Sequence, residues 1–182
     1  MANPEQLEYL QDSADDWNVY RREHSITQPD LSEANLSAAE LPGADLSGAD
    51  LARADLRAID LTNANLANAD LSGANLSGAY LLNVVLSGSN LAGADLTGAN
   101  LTEVNAANAN LTDATLTGAI LGGANLANAD LTNAILRQAD LSEANLTSAT
   151  LLQADLTEAN LAGVDLSKAD LSWVAGLDSG GT

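Results

Sequence analysis

Between Leu31 and Leu171 every fifth residue is leucine, with one exception, Ala106. A period of five excludes both regular ways of building an element. On an α-helix at about 100° per residue, five residues advance about 500°, so the leucines would spiral round the surface. On a continuous strand an odd period sends alternate leucines to opposite faces. They can share one interior only if the chain turns once per repeat, which resets the direction of inside. The residue two before each leucine then points inward with it from a very short extended segment, and the others point outward.

The remaining positions agree with that geometry. From position 34 to 169 the residue two before each centre is Ala in 23 of 28 cases, the exceptions being Ile59, Val84, Ser89, Val104 and Val164. The residue just before the centre is usually Asp or Asn. The second residue after it is Gly at ten of 29 positions and Asn at six, the two residue types that best tolerate turn conformations. A disordered Ala/Ser/Asn-rich tract would have no reason to hold this frame.

The repeat A-(D/N)-L-x-x, as in ANLAN ADLSG ANLSG, resembles the pentapeptide-repeat family, without interruption over most of the chain. The resemblance implies an all-β solenoid, a right-handed quadrilateral β-helix with four pentads per coil. Residues 20 apart would stack, and at a strand spacing of about 4.8 Å the repeats would make about seven coils. The expected organisation is an N-terminal helical cap over 1–28, the β-helix over 29–173 and a C-terminal tail over 174–182, including the flexible DSGGT.

The open ends of such a coil need covering, because they expose both the interior and unpaired backbone edges. Asn3-Pro4-Glu5-Gln6 reads as a helix start, with Asn3 as N-cap, Pro4 in the first turn and Gln6 returning the cap. Leu7, Leu10, Ala14, Trp17 and Arg21 follow at helical spacing and form one stripe, the expected N-terminal cap. At the other end Trp173, with Val174 and Leu177, is expected to close the last coil.

Chemistry is sparse. The chain has no cysteine and one histidine, His24, in the leader, which leaves no thiolate metal site and no nucleophile–base pair of the usual kind. Carboxylates abound, but on a convex rod without loop insertions they form no cleft, and they project in parallel instead of converging on a cation. No enzymatic activity, cofactor or metal is expected. With 25 acids against 6 bases, for a net charge of −19, the chain is unsuited to nucleic acid or anionic membranes. The start of the sequence has no basic segment followed by an apolar run, so a cytoplasmic location is expected.

Stacking every 20 residues sets out columns of outward residues, mostly alternating acids with neutral neighbours. Like charges fall together at Asp30–Asp50–Asp70 and at Glu40–Asp60, which makes these the candidate patch for a protein partner with a basic surface. The expected function is therefore a rigid, acidic, monomeric interaction module. One alternative is mimicry of duplex DNA toward DNA gyrase, as family resemblance and the net charge suggest. SWVAGLDSGGT is, however, too short and glycine-rich for the dimerising C-terminal helix of those members. Another alternative is a structural rod with no specific ligand.

Ala106 is read as a packing swap. The same pentad carries Val104 where Ala is the rule, with Val84 one coil away. Val/Ala in place of Ala/Leu restores most of the inward volume, so no loop or hinge is expected at 102–110.

Overall fold

The computed structural model of the chain describes residues 2–177. The order is two short helices, α1 (Pro4–Asp12) and α2 (Ala14–Glu23), followed by a four-sided solenoid. Parallel bridges join residues 20 apart without interruption from Asp30↔Asp50 to Asp155↔Ala175. The ladder thus runs past Trp173 to Ala175, into the segment assigned to the tail; residues 178–182 of that tail lie outside the described residues. Each face contributes a single bridged residue per coil, too little for a strand, so the sheet exists only as stacked one-residue rungs.

The pentad follows from where its backbone N–H groups go. In residues 70–74, Asp70 N–H donates to Ala49 O in the coil below at 2.9 Å, Leu71 N–H to Asn90 O above at 2.7 Å, and Gly73 N–H to Ala92 O above at 2.9 Å. Ala74 N–H closes a turn onto Leu71 O at 3.0 Å. One donor is left over, that of Ser72, and the Asp70 carboxylate takes it at 3.0 Å. All five N–H groups are satisfied, which buried or crowded backbone requires.

The turn dictates the residue two after each leucine. All 29 such residues have positive φ, ten glycines and nineteen residues with side chains, while the residue before each does not. With the bond from Ala to Leu, this is a type II turn. An L-residue in the left-handed region costs about 1 kcal/mol, which explains the enrichment in Gly and Asn. The recurring ladder bonds offset it elsewhere.

Inside, the leucines and alanines stack in columns that are buried from Leu31 to Leu156, Ala39 in the first coil being half-buried. Ser89, standing where Ala is the rule, is buried with its hydroxyl donating to Leu86 O at 2.6 Å. Val84, Val104 and Ala106 are all buried. The ladder runs straight through them, with bridges Val85↔Asn105 and Asn105↔Asn125 and an Ala106 N–H to Asn125 O bond of 2.8 Å.

The leader differs from the expected single helix. Ser13 is extended, with φ −170° and ψ 161°. Its hydroxyl accepts from Asp16 N–H at 3.0 Å and donates to the Asp16 carboxylate at 2.8 Å. That local capping pair starts a new helix and breaks the old one. Asn3 does cap α1, accepting from Glu5 and Gln6 N–H. Gln6 does not return the cap: its side-chain oxygen accepts from Asp30 N–H at 2.8 Å and so ties α1 to the rod.

The helices pack over the first coil. Leu10, Trp17, Ala14 and Tyr20 are buried there and Leu7 is half-buried against them. The expected closure by Trp173 is not found. Trp173 occupies a left-handed corner position, φ 60°, and is 84% exposed. Corner side chains point away from the coil axis, so this indole cannot reach over the interior. Leu161, Val164, Leu166, Leu171, Val174 and Leu177 are left only half-buried.

Candidate functional site

The outward mid-face position, just before each leucine, decides what the rod can present. Asp or Asn occupies 22 of the 29 such positions. Each of the 22 accepts the N–H two residues on, at 2.9 Å from Thr62 to Asp60 and at 3.0 Å from Ala52 to Asp50, for example. At many of them a following Ser or Thr adds its hydroxyl to the same oxygen, as Ser32 does to Asp30 and Thr97 to Asp95. Counting charges along the columns misses this local role. Its signal was present in the Asp/Asn-x-Ser/Thr spacing, the pattern of an Asx turn.

The candidate acidic residues do not form one patch: at a quarter turn per pentad, the two columns lie on opposite faces of the rod. Asp30, Asp50 and Asp70 are bridged in succession, and so are Glu40 and Asp60. Most of these carboxylates are already engaged through one oxygen, Asp70 also receiving the Asn90 amide at 3.0 Å. Hydrogen bonds from the Ser32 hydroxyl and N–H hold Asp30 below the usual carboxylate range. Arg53 lies beside this column, paired with Glu33 at 2.7 Å. That bond, with the nearby charges of Asp50 and Asp70, raises its pKa. Glu40 makes no turn bond, and none is needed, because two residues on stands Pro42, which has no N–H and suits the second position of a type II turn.

Six positions break the rule where an N–H is present: Tyr80, Val85, Thr115, Ile120, Ile135 and Thr150. There the N–H groups of the residues two on, such as Leu82 and Gly122, have no acceptor among the described residues. Tyr80 and Ile120 are 56% and 45% exposed. They share one face, in the column Asp60–Tyr80–Asn100–Ile120–Asp140. The rod is also least charged here: residues 71–129 contain only Asp95, Glu103 and Asp113 and no base.

A shallow groove under α2 runs between Asn18, Arg21, Arg22, Thr27, Ser47 and Asn68. Its buried guanidinium is structural. Arg21 donates to Ile26 O at 2.9 Å, Asp45 O at 2.6 Å, Ser47 O at 2.6 Å and Thr27 O at 3.4 Å, and pairs with the Asp45 carboxylate at 3.2 Å. Trp17 Nε1–H also donates to Asp45 O, and Asn18 bonds both Gly43 O and Asp45 N–H. The sequence placed Arg21 on the apolar stripe; a cation there was the sign of a buried polar contact. His24 packs against Tyr20, ring centroids 4.3 Å apart and planes tilted by 33°, and its Nδ1–H donates to Tyr20 O at 2.9 Å. Among the described residues no group of His, Cys, Asp or Glu is arranged to hold a metal, and no helix is long and apolar enough to cross a membrane.

These features agree with known proteins. The model of pentapeptide repeats matches in eight copies, the matched segments running from 30–68 to 139–174. HetL, a pentapeptide-repeat protein involved in heterocyst differentiation regulation from the cyanobacterium Nostoc sp. strain PCC 7120, is 30% identical over 88% of this chain and 97% of its own, with a TM-score of 0.44. A trypsin-treated variant of QnrB1, a plasmid-mediated fluoroquinolone resistance protein, is 24% identical over 78% of this chain and 76% of its own, with a TM-score of 0.50. Rfr23 from the cyanobacterium Cyanothece 51142 is 28% identical over 87% and 92%, with a TM-score of 0.33. No curated protein sequence matches the chain significantly. Such proteins are right-handed quadrilateral β-helices, and no catalytic family is indicated. The unbroken five-residue frame, the 20-residue ladder and the matched repeats together place this chain in the pentapeptide-repeat family.

Proposed function

We propose that the chain is a non-enzymatic interaction scaffold: an acidic rod of about seven coils, closed by helices at its N-terminal end, that binds a protein partner with a basic surface. The observation that carries this reading is a charge surplus to folding. The mid-face turn bond needs an oxygen, which Asn supplies as well as Asp; Asn fills ten of these positions and Asp twelve. Twelve carboxylates where twelve amides would serve add self-repulsion without adding a turn bond. Four ion pairs are present among the described residues, and three of them, Arg53–Glu33, Arg57–Asp55 and Arg137–Asp155, lie on the exposed rod. The second carboxylate oxygens therefore face outward with little compensation. A rigid display of this kind speeds encounter with a basic partner and selects against acidic ones.

Affinity capture at low and high salt, with wild type and with Asp50→Asn/Asp70→Asn, tests this. Both turn bonds survive the substitution, so the rod stays folded. Basic proteins captured by wild type should be lost from the variant. Identical captured sets would remove this column as the binding surface.

A further inference from the structure

From the uncharged waist we infer a second binding surface on the same scaffold: the face bearing Tyr80 and Ile120, opposite the Asp50–Asp70 face, is a docking site for a basic amphipathic helix of the protein partner. The inference rests on the scaffold reading above and names the partner's chemistry.

At both positions the chain has given up a turn-stabilising oxygen and gained an exposed apolar side chain. Either change alone costs stability; together, twice on one face, they mark a surface with a use beyond folding. Tyr80 and Ile120 are separated by Asn100, hence by two coil spacings, about 10 Å. Two residues seven apart on an α-helix are about 10.5 Å apart on the same side. A helix lying along the rod axis therefore brings two apolar anchors onto Tyr80 and Ile120 together.

The approach is open on one side. The corner leading into this face carries Gly78, Gly98 and Gly118 in three successive coils, with empty space where each Cβ would stand. The rim is acidic elsewhere: Asp60 below, Asp140 above, and Glu103 on the far corner, its side chain lying against Gly123. Two apolar side chains either side of Asn100, with carboxylates at both ends and on one corner, fit anchors flanked by Lys or Arg. A second copy of this chain fits worse. A two-fold axis through Asn100 would match Tyr80 to Ile120 but would also set Asp60 against Asp140.

The probe is a fluorescein-labelled helical peptide of about 18 residues with a leucine stripe flanked by Lys and Arg, titrated by anisotropy at physiological salt. Tyr80→Asn/Ile120→Asn restores the turn acceptors, so it should melt no lower than wild type. It should bind the peptide at least about tenfold more weakly. Asp60→Asn/Asp140→Asn should weaken binding and flatten its salt dependence. A peptide with the stripe changed to serine should not distinguish wild type from Tyr80→Asn/Ile120→Asn.

Equal affinity of wild type and Tyr80→Asn/Ile120→Asn for the leucine peptide, or no binding by either, overturns the inference. So does sedimentation showing a dimer that this double substitution dissociates. If instead Asp50→Asn/Asp70→Asn weakens the peptide and Tyr80→Asn/Ile120→Asn does not, the scaffold reading stands and the helix site falls.

Discussion

The first and last coils have the same interior but opposite endings. At the first, Trp17 and Leu10 fill the opening and polar side chains stand in for a missing coil. Gln6 takes the Asp30 N–H, Asn18 takes the Asp45 N–H, and Arg21 and Trp17 serve the Asp45 and Ser47 carbonyls. At the last, the N–H groups of Leu161, Gly163, Leu166, Lys168, Leu171 and Trp173 have no partner among the described residues. Covering a solenoid therefore takes two separate things, apolar bulk over the hole and hydrogen-bonding groups along the rim. An aromatic residue near the end supplies neither unless its backbone aims it inward, and Trp173 shows the case where it does not.

Deleting the two tryptophans should break the comparison most visibly. Trp17→Ala should cost about 3–5 kcal/mol in urea unfolding, whereas Trp173→Ala should stay within about 0.5 kcal/mol. Comparable losses would mean that the C-terminal indole does close its coil. Next in size, Leu101→Ala in a filled coil should cost about 2–5 kcal/mol. Leu166→Ala, already half in water, should cost about 1–2 kcal/mol. Amide exchange should show the same gradient, slow at Leu101 and fast at Leu166.

Adding volume sharpens the contrast further. Ala106→Leu should destabilise by about 1–3 kcal/mol through overpacking against Val104 and Val84. Ala169→Leu, beside open space, should change stability by less than about 0.5 kcal/mol. A gain at Ala106 would show that Val104 leaves a real void.

The smallest effect is on the acid side. Hydrogen bonds from the hydroxyls and N–H groups of Thr157, Ser167 and Ser172 hold Asp155, Asp165 and Asp170 below their ordinary pKa. Because the folded value is the lower one, these groups stabilise the fold above the unfolded pKa of about 3.9, and that contribution is lost as pH falls through the folded values. Protection of the Ser167 and Ser172 amides should therefore drop below about pH 4. In an Asp165→Asn/Asp170→Asn variant it should not respond to pH there.

The sequence revealed the interior almost residue by residue, because inward and outward are encoded locally by the five-residue frame. It revealed the stacking column by column once four pentads per coil was granted. It revealed the role of the outward Asp and Asn only in part: the Asp/Asn-x-Ser/Thr spacing suits an Asx turn, but an exposed position does not show that the N–H two residues on has no other acceptor. The break between α1 and α2 also escaped notice: Leu7 to Arg21 keep helical spacing across it, and the capping pair of Ser13 and Asp16 acts on backbone groups that periodicity does not register. Tyr80 and Ile120 stand where Asp or Asn is usual, but their meaning depends on knowing which hydrogen bond they displace.

The 20-residue ladder gives the rod a phase as well as a length. Each pentad is a quarter turn, so removing one between Tyr80 and Ile120 would leave every rung intact yet rotate all later residues onto the neighbouring face. Removing four would restore the alignment and shorten the molecule by one rung. Surface features on this fold are thus addressed by a count modulo four, and insertions or deletions act on it like the click of a dial.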